Sequence, residues 1–233
     1  RHKPKPLLPI AGKPILDFIA EKIEEVPEID TIYVSTNQAF EEHFKAWAEN
    51  RESPKRIEVV VEPSLKEEQK LGSIGALNYV IQKKKIRSDV MLVAGDNIFS
   101  FDLNKFVQSF PDDPRIILYD MNNKARCSRY GVVSIDDSMK VTDFEEKPKE
   151  PKSTLISTAC YVFPRKTLPL LKKYLAGQNP VDNMGSFLEW LFNRTTVRGF
   201  VTDGYWYDIG DKHFYIKANV QAMKDQENGS MVK

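Results

Sequence analysis

Two hydrophobic periods take turns along the first half of the chain. Residues 15–26 space their apolar side chains three and four apart, the mark of an amphipathic helix, and Pro27 stops it. Residues 31–36 (TIYVST) form a short β-branched run that predicts a strand, residues 38–49 return to the helical period, and residues 57–61 (IEVVV) predict a second strand. A polar, lysine-rich loop follows. Residues 71–75 (LGSIG) lead into a helix that runs to about Lys85, and residues 89–94 (DVMLVA) read as a buried strand ending on Gly95-Asp96-Asn97. Strands and helices in alternation predict an α/β fold, a mostly parallel sheet flanked by helices.

From Arg115 the pattern changes. Strands are predicted at residues 116–119, 131–135 and 141–145, with a turn at Asp136-Asp137-Ser138 making a hairpin of the last two. A strand at 156–163 follows, then helices at 167–175 and about 184–192, a strand at 197–201, the segment 204–210, and a helix from Asp211 to about Asp225; residues 226–233 are expected to fray. No internal repeat is visible, and no hexapeptide array follows the last helix, so a fused acyltransferase domain is not expected. A fold of this class usually opens on a strand, whereas this sequence opens on a basic, proline-punctuated loop feeding a helix. The first βα unit is therefore expected to be absent from these residues.

Composition narrows the class. At 233 residues the chain is long enough for one substantial core and is read as a single domain. Hydrophobic residues at 41% and charged residues at 29% exclude disordered and fibrous classes. With 34 basic against 33 acidic side chains the net charge is +1, which gives no overall pull toward nucleic acid or anionic lipid; phosphate recognition must come from a few placed residues. Cys127 and Cys160 have neither metal spacing nor a disulfide framework, and no apolar run is long enough to span a bilayer. The expected setting is the cytoplasm.

Several residues could carry chemistry. Asp96 follows a hydrophobic strand and a glycine at the carboxyl edge of the predicted sheet, where open α/β folds bind ligands. A carboxylate there suits Mg²⁺, which takes oxygen ligands and one or two protein acids beside substrate phosphates. Asp208, in Gly204-Tyr205-Trp206-Tyr207-Asp208-Ile209-Gly210, is the candidate second acid, with a helix cap before Asp211 as its alternative role. Lys5 sits among prolines that stiffen its loop and could hold its ammonium against a polyphosphate; taken alone, the solvated basic turn is the better reading of it. Glu146 and Lys147, in Glu145-Glu146-Lys147-Pro148, suit a ligand with both hydroxyls and a phosphate, and Gly131 opens a strand where a ring could lie against the backbone. Lys83-Lys84-Lys85 complements the end of a helix. His2, His43 and His213 do not cluster, and no serine or cysteine nucleophile motif is present.

Taken in order, Lys5-Pro6-Leu7-Leu8-Pro9 with Lys13-Pro14, Leu71-Gly72-Ser73-Ile74-Gly75-Ala76, Gly95-Asp96-Asn97, Tyr130-Gly131-Val132-Val133, Glu145-Glu146-Lys147-Pro148 and Trp206-Tyr207-Asp208-Ile209-Gly210 resemble the sugar-1-phosphate nucleotidylyltransferases, nearly end to end. The glucose-1-phosphate thymidylyltransferase and uridylyltransferase branch is the most similar. The resemblance implies a Rossmann-like nucleotide core with a smaller β-rich sugar-binding lobe, roughly residues 115–205. It implies that Lys5 meets the phosphates, that Asp96 and Asp208 hold Mg²⁺, and that Gly131, Glu146 and Lys147 receive the sugar phosphate, with Thr158 and Tyr161 in the same wall. Glu62, Gly72 and Ser73 fall in the region that reads the base. The catalytic set so implied is Lys5, Asp96, Lys147 and Asp208, the substrates a nucleoside triphosphate and a sugar 1-phosphate, and homo-oligomers are frequent in the resembled family.

Three departures stand out. Many thymidylyl enzymes carry glutamine where this chain has Glu62, and a carboxylate accepts a ring N–H but cannot donate to a carbonyl. Ala159 and Cys160 stand where closer relatives carry a glycine and a larger apolar residue. The glycine-rich loop with a Thr-Arg pair that precedes the Lys5 segment in the family is not among these residues. A non-catalytic binding member of the fold and a nucleotide-sugar glycosyltransferase remain as rivals. The second usually carries an Asp-x-Asp pair, whereas Asp96 is followed by Asn97 and Ile98.

Overall fold

A computed structural model describes residues 3–64, 71–210 and 212–227. The loop expected at 65–70, the expected helix start at Asp211, and most of the tail expected to fray lie outside the described residues, as does His2.

The chain begins with a single 3-10 turn at Lys5–Leu7 and a two-residue hairpin, β1 (Pro9–Ile10) against β2 (Lys13–Pro14), before α1 (Ile15–Glu24). Helix α1 buries Ile15, Leu16, Phe18, Ile19 and Ile23, the face its period predicts. Strand β3 (Thr31–Asn37) pairs in parallel with β4 (Arg56–Glu62), joined through α2 (Glu41–Glu49) in a right-sized βαβ crossover. Helix α3 (Gly72–Lys83) leads to β5 (Val90–Val93), and a tight turn at residues 94–96 leads on to β6 (Asn97–Phe99).

The largest sheet is built around β10 (Leu155–Phe163). This strand runs antiparallel to β5, to β7 (Arg115–Asp120) and to β8 (Gly131–Ile135); β8 pairs with β9 (Val141–Glu146), and β11 (Arg198–Thr202) runs parallel to β7. Strand β12 (Trp206–Asp208) pairs antiparallel with β6. Alternate residues of β7 and β10 enter different hydrophobic clusters. Ile117, Ile156, Cys160 and Val162 join the cluster built on α1, whereas Ile116, Leu118, Tyr161 and Phe163 join that of α3, α6 (Leu168–Ala176) and α7 (Met184–Phe192). The fold is α/β, with a mixed sheet between two helical layers.

Short elements escaped the sequence reading. The opening hairpin, β6, α4 (Leu103–Gln108) and α5 (Lys124–Cys127) run two to six residues, too few for either period to repeat. The last helix, α8 (Lys212–Glu227), returns to the opening segment. Tyr215 donates to the Pro9 carbonyl oxygen at 2.7 Å, and Ala11 N donates to Asn219 Oδ1 at 3.0 Å. Among the described residues no helix is long and apolar enough to cross a membrane. Cys127 and Cys160 are free and buried, and burial raises both thiols above their ordinary value, Cys127 with a smaller push from Asp120.

A cleft of about 1450 Å³ runs through the described residues. Among the described residues β3 pairs with β4 alone and β5 with β10 alone, and residues along both strands line the cleft, with Leu16 and Ile19 of α1 and Leu77 and Val80 of α3 as walls. At the carboxyl ends of the strands it opens into a polar region.

Candidate active site

The polar end of the cleft is assembled from residues far apart in sequence. Asp96 lies in the turn that connects β5 to β6. Strand β12 brings Asp208 alongside: Asp208 is the register partner of Asn97, and Ile209 N donates to the Asp96 carbonyl oxygen at 2.9 Å. Asp208 Oδ1 accepts from Gly210 N at 2.8 Å, which fixes its rotamer. The Lys5 turn is seated on the same corner, since a Cβ on Gly95 would stand 3.1 Å from Pro6 Cγ. Lys5 is itself exposed, and its charge reaches Asp96.

Asp96 feels the charges of both Asp208 and Lys5. Burial raises the Asp96 carboxyl above the usual carboxylate range, the negative charge of Asp208 raises it further, and Lys5 opposes both. A desolvated acid beside a second acid is a site that gains from a cation. Among the described residues no cluster of three or more His, Cys, Asp or Glu side chains is poised to hold a metal. Two carboxylates nevertheless fit Mg²⁺, because that ion fills its octahedron with water and substrate phosphate oxygens.

The opposite wall comes from the β8–β9 hairpin and α7. Gly131 and Glu146 are register partners, and a Cβ on Gly131 would lie 2.7 Å from Phe144 Cζ and 3.2 Å from Glu146 Oε2, so only glycine fits. Glu146 is half-buried and its carboxyl is raised, first by burial, with Lys147 opposing and Glu189 adding. Lys147 Nζ stands 3.8 Å from Glu146 Oε1 with its side chain largely in solvent. Its backbone is left-handed at φ 50° and its N–H donates to the Tyr130 carbonyl oxygen at 3.1 Å, which turns the chain out of the strand. Tyr161 lines the cleft below, its hydroxyl paired with Ser157 Oγ at 3.0 Å, and burial raises its phenol.

Thr158 is placed differently from the expectation. It is 2% exposed, its hydroxyl donates to the Ile117 carbonyl oxygen at 3.0 Å, and it does not line the cleft. Alternation along β10 accounts for this: Ser157, Ala159 and Tyr161 line the cleft, and Thr158 takes the opposite phase with Ile156 and Cys160.

At the third side, Glu62 ends β4. It is 8% exposed, and Oε1 accepts from Ser35 Oγ at 3.0 Å. Ser73 also lines the cleft. Gly72 has φ 70°, and a Cβ there would overlap the Val181 carbonyl oxygen; Ser73 N and Ile74 N donate to the carbonyl oxygens of Asp182 and Val181, each at 3.2 Å. The first turn of α3 is thus closed by the segment that precedes α7. That segment was missed in sequence: Asp182, Asn183 and Gly185 all line the cleft. Its sole signal was Asn183 ahead of a predicted helix, which the structure uses as an N-cap accepting from Ser186 N at 2.9 Å.

Known proteins give the same outline. A family model described as "Nucleotidyl transferase" matches residues 1–225. The chain is 29% identical over 227 residues to the "Bifunctional protein GlmU" of Methanococcus aeolicus, which covers 95% of this chain and 50% of that one. It is 26% identical over 246 residues to the glucose-1-phosphate adenylyltransferase of Thermomicrobium roseum, covering 97% of this chain and 56% of the relative. The chain therefore spans about half the length of the curated relatives it matches. A solved UDP-glucose pyrophosphorylase complexed with UDP-glucose superposes with a TM-score of 0.77 at 17% identity, covering 95% of this chain and 91% of that chain, a likeness of fold.

Proposed function

The chain belongs to the nucleotidyl transferase family, and from that premise we propose that it transfers a nucleotidyl group from a nucleoside triphosphate to a sugar 1-phosphate, releasing pyrophosphate. The observation that carries this reading is that Asp96 and Asp208, with the Lys5 charge reaching Asp96, line the same cleft as Glu146 and Lys147. Two acids and a cation suit a polyphosphate, and an acceptor beside a cation suits a phosphorylated sugar. The whole described chain acts as one catalytic domain, with the sugar portion at roughly residues 115–205.

In the proposed reaction a phosphate oxygen of the sugar 1-phosphate attacks the α-phosphorus of the triphosphate, a new P–O bond forms, and the bond to pyrophosphate breaks in line. No general base is required, because the attacking phosphate is already ionised near neutral pH. The protein brings two anions together and offsets their repulsion. Lys5 lies on the triphosphate side and Lys147 faces the sugar phosphate, while Glu146 accepts from sugar hydroxyls and Tyr161 closes the floor. Asp96 and Asp208 would hold Mg²⁺, which when bound supplies positive charge to the phosphate oxygens.

Resemblance to the thymidylyl and uridylyl branch puts dTTP or UTP with glucose 1-phosphate first among the pairings. Glu62 supports a second: with Oε1 already accepting from Ser35, Oε2 remains to receive base N–H groups, and guanine offers adjacent N1–H and N2–H donors where uracil and thymine offer one. The cytoplasm, where free thiols persist, is the proposed setting.

The test is to mix the native protein with Mg²⁺, a panel of sugar 1-phosphates and each nucleoside triphosphate, and to measure pyrophosphate. One pairing is expected to release it in step with a nucleotide sugar. Absence of pyrophosphate from every pairing would sink the proposal in favour of a binding role, and release of nucleoside diphosphate from a separately supplied nucleotide sugar would point to glycosyl transfer.

A further inference from the structure

Glu146 is held from two directions by residues that have no side chain. On β8, Gly131 leaves space that a Cβ would fill 3.2 Å from Glu146 Oε2. On α7, Gly185 is buried at the second residue of the helix, and a methyl group there would overlap the same oxygen and lie 2.7 Å from Glu146 Cδ. The first of these sits within a strand that the sequence pattern already marked. The second comes from an element that pattern gave no functional role.

The position of Gly185 is itself fixed. Asn183 caps α7 by accepting from Ser186 N at 2.9 Å and Ser186 Oγ at 3.0 Å, and the carbonyl oxygens of Val181 and Asp182 are bound by the first turn of α3. The α7 terminus therefore cannot retreat without breaking hydrogen bonds at both ends of residues 181–186. A side chain at 185 would displace Glu146 instead, since a glutamate rotates about three side-chain bonds and the pinned backbone does not.

We infer that Gly185 is a positioning residue: by carrying no side chain it lets the first turn of α7 close on Glu146 and holds that carboxylate toward the sugar-phosphate end of the cleft. The inference rests on the proposed role of Glu146 and adds a residue on a different element through which that role is set.

The experiment compares Gly185→Ala, Glu146→Ala and the double variant in the native protein, using glucose 1-phosphate and whichever triphosphate supports turnover. Gly185→Ala raises KM for the sugar phosphate by about tenfold or more, which corresponds to about 1.4 kcal/mol, and leaves KM for the triphosphate within about twofold. Added to Glu146→Ala, it raises sugar KM by less than about twofold, because no carboxylate remains to be displaced. Where Glu146→Ala raises sugar KM, an unchanged sugar KM in Gly185→Ala, a parallel rise in both KM values, or an undiminished effect in the double variant overturns the inference.

If Gly185→Ala fails to fold, the double variant, which removes the overlap, recovers a cooperative melt; a double variant that stays unfolded also overturns it. A second readout separates this inference from the reading beneath it. The side-chain carboxyl of Glu146, labelled with ¹³C and titrated by NMR, changes its midpoint in Gly185→Ala, and an unchanged midpoint counts against positioning. If Glu146→Ala leaves sugar KM unaltered while that midpoint still moves, the sugar-acceptor role fails and the positioning stands.

Discussion

Glu146 shows how one side chain can be costly to the fold and useful to the site. Burial raises its carboxyl, so the folded chain holds its proton more tightly than the unfolded chain does. Its contribution to stability is then fully present below the unfolded pKa and is lost as pH rises through the folded value. Glu146→Gln, nearly the same shape without the charge, is expected to melt at a higher temperature at pH 7 in calorimetry. The same variant is expected to raise KM for the sugar phosphate roughly ten- to hundredfold, the worth of a hydrogen bond to a charged acceptor. As pH falls through the raised pKa, sugar-phosphate affinity of the parent protein falls with it. Ala159 holds a different cost. Its backbone is left-handed at φ 58°, and its carbonyl oxygen accepts from Ala94 N at 3.0 Å, which ties the β10 irregularity to the Asp96 turn. Ala159→Gly removes the Cβ penalty of that conformation and is expected to add about 1 kcal/mol of stability, read as a rise of roughly 2–4 °C in Tm.

Elements matter here chiefly through where they end. Helix α3 begins on a left-handed glycine against the Val181 carbonyl, and its first two bonded N–H groups are spent on the segment before α7. Gly72→Ala brings a conformational penalty of about 1–2 kcal/mol in addition to the overlap. It is expected to lower Tm and to raise KM for the triphosphate more than for the sugar, because Ser73, like Glu62, lines the cleft and belongs to the proposed nucleotide side. A Gly72→Ala protein with unchanged melting would show that this turn bears no load. The sequence marked Gly72 as part of a motif, but the reason for a glycine there is a carbonyl supplied by residue 181. Long elements were legible because their period repeats: β8 and α7 fall at the predicted residues, and β3, β4, β7 and β9 differ by a residue or so at their ends. The β6–β12 pairing, which places the two aspartates together, was not legible, since it joins two three-residue strands far apart in the chain.

At the scale of the whole molecule, the cleft collects its charges from several separate regions of backbone. Asp96 is costly to ionise where it stands, by burial first and by Asp208 second. Asp96→Asn is therefore expected to fold at least as stably as the parent without divalent cations, while turnover with Mg²⁺ falls by about a hundredfold or more, the scale of several kcal/mol of lost charge stabilisation. Circular dichroism and a pyrophosphate assay on one preparation check both halves. Turnover that survives the substitution would remove Asp96 from the site.

What the sequence determined by itself was local and ordered. The two periods gave the α/β class and nearly every long element, and six short motifs in sequence order gave the candidate acids, lysines and glycines, because these depend on residue type and spacing along the chain. Tertiary structure decided what spacing does not encode. It paired Asp208 beside Asn97, set the phase of β10 that turns Thr158 away from the cleft, and brought residues 181–185 against Glu146 and the first turn of α3. Each of these is a contact between distant segments, set by which backbone groups and which volumes remain to be satisfied once the sheet has formed.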